Sequence, residues 1–245
     1  MPHSFRRVKA VIAYDGSAYF GFQKQTSTNR TITADIEKAL HSLHINTSIV
    51  GSGRTDAGVH ATGQVIHFDI PEYWSDLKKL KLNLNRKLTF TRFKYITFVP
   101  SDFHARFGAK KRTYRYLFKT KEPTLFEQKY ISHYAPFDTT LLTEALTAFE
   151  GKHDFDFFRK TGTVTHTSIR EIYSATYKQY GAYHIIYFQA NGFLRSQVRM
   201  MVDAAMRCAR EKLTLNEIKE QLHCHKKHTT TLAPAEGLYL ARILY

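Results

Sequence analysis

Short segments in which apolar and polar residues alternate recur along the chain and constrain its fold most strongly. In the segment 7–14, Val8, Ala10 and Ile12 alternate with Arg7 and Lys9. This period of two is typical of a half-buried strand. Strands are predicted on similar grounds at 48–50, 65–70, 93–99, 113–118, 130–134, 169–177, 183–190 and 238–244.

Apolar residues at helical spacing separate these strands. Ile32, Ile36 and Leu40 would share one face of a helix over 32–43. Further helices are predicted around 77–84, at 140–149 and, as the longest, at 193–210. The mixture predicts an α/β (α+β) protein of two mixed halves, 1–105 and 106–245. Both a continuous sheet shared by the halves and two independent domains fit the pattern.

The charge balance indicates a polyanionic partner. The 245 residues include 36 Lys and Arg against 21 Asp and Glu, which gives a formal net charge of +15. Nucleic acid is the commonest partner of such a chain, although a bias towards solubility has the same signature. Two cysteines cannot form a disulfide framework, and no apolar run reaches the length of a membrane span. The start of the chain also lacks a signal-peptide pattern, so we expect a cytoplasmic protein without membrane contact.

A glycine-rich loop with a single carboxylate connects two of the predicted strands. It runs from Gly51 to His60 and matches neither a Walker loop nor a dinucleotide fingerprint. Asp56 lies two residues after Arg54, and a carboxylate beside a cation stays ionised at neutral pH. Such a group can act as a nucleophile or a general base. An ordinary Asx turn is the alternative interpretation of Asp56.

The stretch from Phe103 to Lys121 is basic and aromatic. It holds seven Lys and Arg residues and no acidic residue, with Tyr114 and Tyr116 between them. On a strand the aromatic side chains fall on one face and the cations largely on the other. Rings can stack on unpaired bases while cations meet phosphates, but a half-buried strand with a solvated basic face gives the same pattern.

Two further segments each allow a structural and a chemical interpretation. In the long predicted helix Asn191 would be the cap, and Arg195 would lie one turn before Arg199. Arg199 has Asp203 at i+4, the spacing of an intrahelical ion pair. The segment 223–228 has the residue types of a zinc site, but it lacks a second ligand cluster and contains lysines. We therefore expect a solvated basic segment and no metal.

Six motifs together resemble the tRNA pseudouridine synthase A family. The segment 53–68, GRTDAGVHATGQVIHF, is similar to the family's long signature. The others resemble its remaining motifs in their family order; they are YDGS at 14–17 with GFQKQ at 21–25, FHARF at 103–107, YRY at 114–116, FLRSQVR at 193–199 and AEGLYL at 235–240. Phe22 stands where a Trp is usual, and Gln197, Met200 and 86–90 also depart from the family pattern.

The resemblance implies the pseudouridine synthase fold, with largely antiparallel sheets joined around a central catalytic cleft. It also implies isomerisation of uridine to pseudouridine without a cofactor or a metal. Asp56 would be the catalytic aspartate, Tyr114 would stack on the target base, and Arg199 would pair with Asp56. Tyr116 would then be a core or supporting residue.

The resemblance further implies how tRNA is bound. Arg54 would intrude where the base leaves the stack, although a phosphate contact or a plain surface charge competes with this role. Leu240 would line the uracil pocket, with a core strand residue as the alternative. The expected contacts to RNA are Arg106, Lys110, Lys111, Arg112 and Arg195. Members of the family act as homodimers on positions 38–40 of the anticodon stem-loop.

Two classes of protein other than an enzyme fit part of the sequence. A non-catalytic RNA-binding or RNA-chaperone protein on the same fold would need the basic residues but not Asp56. A polyanion-binding structural protein would need the charge alone. The intact segment around Asp56 disfavours both.

Overall fold

The computed structural model describes residues 5–162 and 165–245, which form two compact units. The first unit contains the described residues up to Lys110 together with Leu240–Tyr245, and the second contains Lys111–Tyr239. No helix among the described residues is long and apolar enough to cross a membrane. The domain boundary expected between residues 105 and 106 stays a prediction.

In the first unit a central strand, β1, has a partner on each side. It pairs antiparallel with β3 and with β4, while the short strand β2 pairs with β3. The last residues of the chain lie beside β3, where a Cβ on Gly63 would come within 2.2 Å of the carbonyl oxygen of Ala241. The elements of this unit are β1 (Phe5–Tyr14), α1 (Ile32–His41), β2 (Val50–Gly51), β3 (His60–Pro71), α2 (Leu77–Lys87) and β4 (Thr91–Phe98).

The second unit has the strand order β5-β9-β8-β7, with every neighbour antiparallel. The two-residue strand β6 runs parallel to β5. The elements are β5 (Lys111–Lys119), β6 (Ser132–His133), α3 (Thr139–Thr147), β7 (Gly151–Asp154), β8 (Ile169–Tyr180), β9 (Tyr183–Ala190), α4 (Gln197–Cys208) and α5 (Leu215–Leu222). The final strand, β10 (Leu238–Leu244), begins here and ends in the first unit.

The buried faces follow the alternation in the sequence. Val8, Ala10 and Ile12 of β1 are fully buried, as are Tyr116 and Phe118 of β5. Burial of these apolar side chains is the main favourable term for each sheet. The predicted fold class, mixed α/β with largely antiparallel sheets, is confirmed.

The helix predicted at 193–210 is shorter at its N-terminal end. Its cap is Ser196, in a left-handed conformation with φ 58°, so Arg195 precedes the helix and is not one turn before Arg199 within it. The predicted capping role of Asn191 was wrong, because its side-chain Oδ1 accepts from the backbone N–H of Glu171 at 3.2 Å. The segment 191–195 is therefore a turn that leaves the sheet before the helix begins.

The strand predicted at 130–134 is shorter in the structure, where β6 covers only Ser132–His133. The sequence interpretation did not predict α5. A sequence signal for α5 existed, because Thr214 and Glu217 form a reciprocal capping box. The basic segment 223–228 is largely exposed, as expected of a solvated segment, and His228 at its end is the exception. His228 is largely buried, with its Nε2 2.7 Å from Glu220 and its Nδ1 3.4 Å from Glu217. Among the described residues no group of three or more His, Cys, Asp or Glu could hold a metal.

A buried histidine ties the chain after β4 to the sheet of the first unit. The Nδ1 of His67 accepts from the backbone N–H of Ala105 at 3.1 Å, and Tyr245 donates to the Ala105 carbonyl at 2.7 Å. Burial, with the nearby charges of Arg7 and His104, lowers the pKa of His67 to about 4. The neutral imidazole thus belongs to the folded state.

The pKa of His67 makes stability depend on pH. An unfolded histidine titrates near 6.5, so the stabilisation is complete above that pH and is lost as the pH falls towards about 4. We expect the free energy of unfolding to fall by at most about 1.4 kcal/mol per pH unit through this group. Urea unfolding at several pH values measures this dependence of the free energy of unfolding on pH.

His67→Asn isolates this contribution, since the Asn Oδ1 can still accept from Ala105 without gaining a charge. The variant should lose stability less steeply than the parent between pH 6.5 and 4. His166→Asn, at an exposed position, is the matched control and should follow the parent. Parallel curves for His67→Asn and the parent would contradict the assignment.

Candidate active site

The loop that carries Asp56 is braced at its base by β3. The backbone N–H of Ser52 donates to the carbonyl of Val65 at 2.9 Å. The side chain of Gln64 accepts from the Ser52 hydroxyl at 2.7 Å and donates to the carbonyl of Gly53 at 2.8 Å. Because Ser52 and Gln64 are buried, these bonds hold the start of the loop in one conformation.

Two glycines let the chain after β1 approach this loop closely. A Cβ on Gly16 would lie 2.0 Å from the carbonyl oxygen of Val59, so only glycine fits there. Gly21 has a φ of +110°, and a Cβ on it would lie 3.1 Å from the carbonyl oxygen of Thr55. The motifs at 14–17 and 21–25 therefore pack directly on the residues around Asp56.

Polar contacts complete the support on both sides of Asp56. The hydroxyls of Tyr14 and Thr55 are 2.8 Å apart, and the backbone N–H of Phe22 donates to the Thr55 carbonyl at 3.1 Å. Buried His60 accepts from the backbone N–H of Gly16 through its Nδ1 at 3.0 Å. His60 is thus a structural support for the loop.

Asp56 lies at the turn that the braced loop presents. Its backbone carbonyl accepts from the N–H of Val59 at 3.2 Å, which closes the turn through the main chain. The residue is half-buried, between buried Thr55 and exposed Ala57. Arg54, two residues earlier, is exposed. A carboxylate on a braced turn near an exposed cation suits chemistry on a bound ligand.

In the second unit Tyr114 lies on the buried face of β5 and is 7% exposed. Its ring meets Phe193 edge to face, with centroids 5.2 Å apart and planes at 87°. Phe193 belongs to the turn before α4, so this contact joins the strand to the segment that leads to Arg199. Tyr116, two residues on, is fully buried and donates to the Ser132 hydroxyl.

Arg199 lies in the first turn of α4 and is fixed to the segment around Ala233. Its Nε donates to the carbonyl of Ala233 at 2.7 Å, and the N–H of Ala233 donates back to the Arg199 carbonyl at 3.1 Å. One edge of the guanidinium is therefore oriented by the main chain. Asp203, the residue at i+4, accepts from Arg207 at 2.7 Å.

Other basic side chains of the second unit are also held by carbonyl groups. Arg112 donates to Asn191 at 2.7 Å, and Arg195 donates to Thr161 at 3.3 Å. Lys111 is exposed, with its Nζ 4.8 Å from the ring centroid of Tyr173. Such contacts restrain long cationic side chains before any ligand binds.

Arg170 is a basic residue that the sequence interpretation missed. Its Nε and the Nη1 of Arg112 lie 3.6 and 3.9 Å from the place where a Cβ on Gly192 would be. Burial and the nearby charge of Arg112 lower the pKa of Arg170. Two like charges held around one glycine suit an anionic ligand. No local pattern marks Arg170, because pairing of β8 with β9 brings it there.

The predicted site residues are divided between the two units. Arg106 and Lys110 are exposed in the first unit, and Leu240 there is 1% exposed in β10. The first unit holds Arg54, Asp56, Arg106, Lys110 and Leu240, and the second holds Lys111, Arg112, Tyr114, Arg195 and Arg199. The pairing of Asp56 with Arg199 stays a prediction.

Comparison with known proteins points to one family. A family model described as tRNA pseudouridine synthase matches residues 10–108 and 145–245. The chain is 38% identical to the tRNA pseudouridine synthase A of Helicobacter hepaticus, over 97% of this chain and 98% of that one. It is 36% identical to the protein of that name from Wolinella succinogenes, over 96% and 93%, and 38% identical to that from Listeria innocua, over 98% and 99%. This chain belongs to the tRNA pseudouridine synthase family.

Proposed function

We propose that this protein converts uridine to pseudouridine at positions 38–40 of the tRNA anticodon stem-loop, with Asp56 as the catalytic residue. As a member of its family it is an isomerase that acts on tRNA. The observation that carries the assignment of Asp56 is the braced loop, in which the three motif segments 14–17, 21–25 and 53–68 pack around the turn that holds its carboxylate. A non-catalytic RNA-binding protein would have no need of that support.

The reaction requires an ionised carboxylate. The glycosidic bond between C1′ and N1 breaks, the uracil rotates, and C1′ joins C5. The proton on C5 is then lost and N1 gains a proton, so the reaction is an isomerisation without net oxidation and requires no redox cofactor. The Asp56 carboxylate attacks C6 or C1′, or it removes the proton at C2′. Each route begins with a negative charge on Asp56, which a cation nearby would maintain.

We assign the supporting roles to Tyr114 and Arg199. The ring of Tyr114 would stack on the target base, and its contact with Phe193 fixes the ring plane. Arg199 would pair with Asp56 through its Nη atoms, since its Nε already donates to Ala233. Such a pair would both orient the carboxylate and keep it ionised.

Binding of the tRNA would rest on the basic side chains and on extrusion of the base. Arg54 is exposed on the catalytic loop and would occupy the space that the flipped uridine leaves. Leu240 would contribute to the uracil pocket. The phosphate contacts would come from Arg106, Lys110, Lys111, Arg112, Arg195 and also Arg170. A homodimer in the cytoplasm, with one tRNA across both subunits, is part of this proposal.

Replacement of the carboxylate tests the proposal directly. Asp56→Asn should abolish turnover while tRNA binding persists, because the amide keeps the shape but not the charge. Unmodified tRNA transcripts are incubated with each protein, and pseudouridine is mapped along the RNA. Asp102→Asn, at an exposed position, should behave as the parent. Pseudouridine formed at the parental rate by Asp56→Asn would refute the catalytic role and favour a binding protein.

The role of Tyr114 is tested by separating its ring from its hydroxyl. Tyr114→Phe should retain much of the activity, because the stacking surface remains. Tyr114→Ala should lose most of it, since base stacking of this kind contributes about 1–3 kcal/mol. Single-turnover rates with bound tRNA, with thermal melting to verify folding, provide the measurement. Rapid turnover by a folded alanine variant would exclude the stacking role.

Arg170 should contribute affinity rather than chemistry. Arg170→Ala should weaken tRNA binding and reduce the slope of log K against log salt by about one, as expected for one lost phosphate contact. Arg170→Lys keeps the charge and should keep the slope. An unchanged slope for Arg170→Ala would remove this residue from the interface.

A further inference from the structure

The buried side-chain amide of Gln221 in α5 hydrogen-bonds to the chain that follows this helix. Gln221 is 1% exposed, and its Oε1 accepts from the backbone N–H groups of His228 at 2.8 Å and Thr229 at 3.0 Å. Its Nε2 donates to the carbonyls of Thr229 and Phe157, both at 2.9 Å. All four hydrogen-bonding positions of the amide are therefore used.

The segment that begins at these contacts, residues 228–234, is here called the strap. It is fixed to α4 by side chains as well. The Thr229 hydroxyl donates to Asp203 at 3.2 Å, and Asp203 also accepts from Arg207 at 2.7 Å. Arg207 donates in turn to the Thr231 hydroxyl at 3.2 Å. Asp203 and Arg207 follow Arg199 at intervals of four, so they share one face of α4 with it.

The strap ends at the guanidinium of Arg199. Ala233 is fully buried and exchanges hydrogen bonds with Arg199 in both directions, as described above. The next carbonyl, that of Pro234, lies 3.1 Å from the hydroxyl of buried Tyr116. A shift of the strap would therefore move the acceptor that orients Arg199.

We infer that Gln221 is a positioning residue for Arg199, acting through the strap. This inference rests on the proposed role of Arg199 toward Asp56. If the Gln221 amide were removed, three backbone groups of the strap and the carbonyl of Phe157 would lose their hydrogen-bond partner. The strap would then shift to satisfy these groups in another way. A displacement of about 1 Å in a group that aligns reacting atoms can lower a rate about 100-fold.

The test is Gln221→Met, which keeps the length of the side chain and removes its hydrogen bonds. At saturating tRNA, kcat should fall about 10- to 100-fold, whereas the Kd for tRNA should change less than threefold. Gln179→Met, at an exposed amide, is the matched control and should leave both constants unchanged. Thermal melting reports the folded fraction of each variant.

The same substitution in an Arg199→Ala background distinguishes positioning from general support. If Gln221 acts through Arg199, Gln221→Met should cause no further loss of kcat in the Arg199→Ala background. Equal losses in both backgrounds, or a parental kcat for folded Gln221→Met, would overturn the inference while Arg199 kept its role. A parental kcat for Arg199→Ala would instead overturn the proposed role of Arg199, and this inference with it.

A second variant applies if Gln221→Met does not fold. Thr229→Val is nearly isosteric and removes only the hydroxyl that joins the strap to Asp203. It should lower kcat in the parent and not in the Arg199→Ala background. A parental kcat for this folded variant would overturn the inference by itself.

Discussion

The close approach of the chain at Gly16 to the loop before β3 is the constraint on which the first unit's candidate site depends. A single methyl group on Gly16 would overlap the carbonyl of Val59, so the two backbones pack without any side chain between them. Buried His60 then accepts from the N–H of Gly16, which satisfies a donor that this packing removes from water. These backbone contacts of the neighbouring residues help to set the position of Asp56.

Main-chain carbonyls orient three of the arginines of the second unit. A carbonyl oxygen accepts a hydrogen bond from each of Arg112, Arg195 and Arg199. These side chains are therefore restrained in advance and lose less conformational entropy when a ligand binds. The contacts of Arg199 with Ala233 join a helix to the segment that precedes β10. The excess of basic residues therefore includes both exposed side chains and arginines that are hydrogen-bonded within the fold.

Two residues of the second unit, His228 and Gln221, have contacts that no local pattern predicts. The basic segment after α5 is largely exposed, as expected, but the His228 side chain lies against two glutamates of that helix. A single glutamine in a polar helix carries no local signal. The burial of Gln221 and its hydrogen-bond partners, which lie as far away in sequence as Phe157, exist only in the folded chain.

The sequence by itself determined the mixed α/β class, most of the strands, the buried face of β5 and the family, because alternation and long motifs are local properties of the chain. It also marked Asp56, through the glycines around it. Only the tertiary structure decided where α4 begins, that Arg195 lies outside it, and that Arg170 adjoins Arg112. These features depend on strand pairing and on hydrogen bonds between residues far apart in sequence, and no local pattern encodes such contacts.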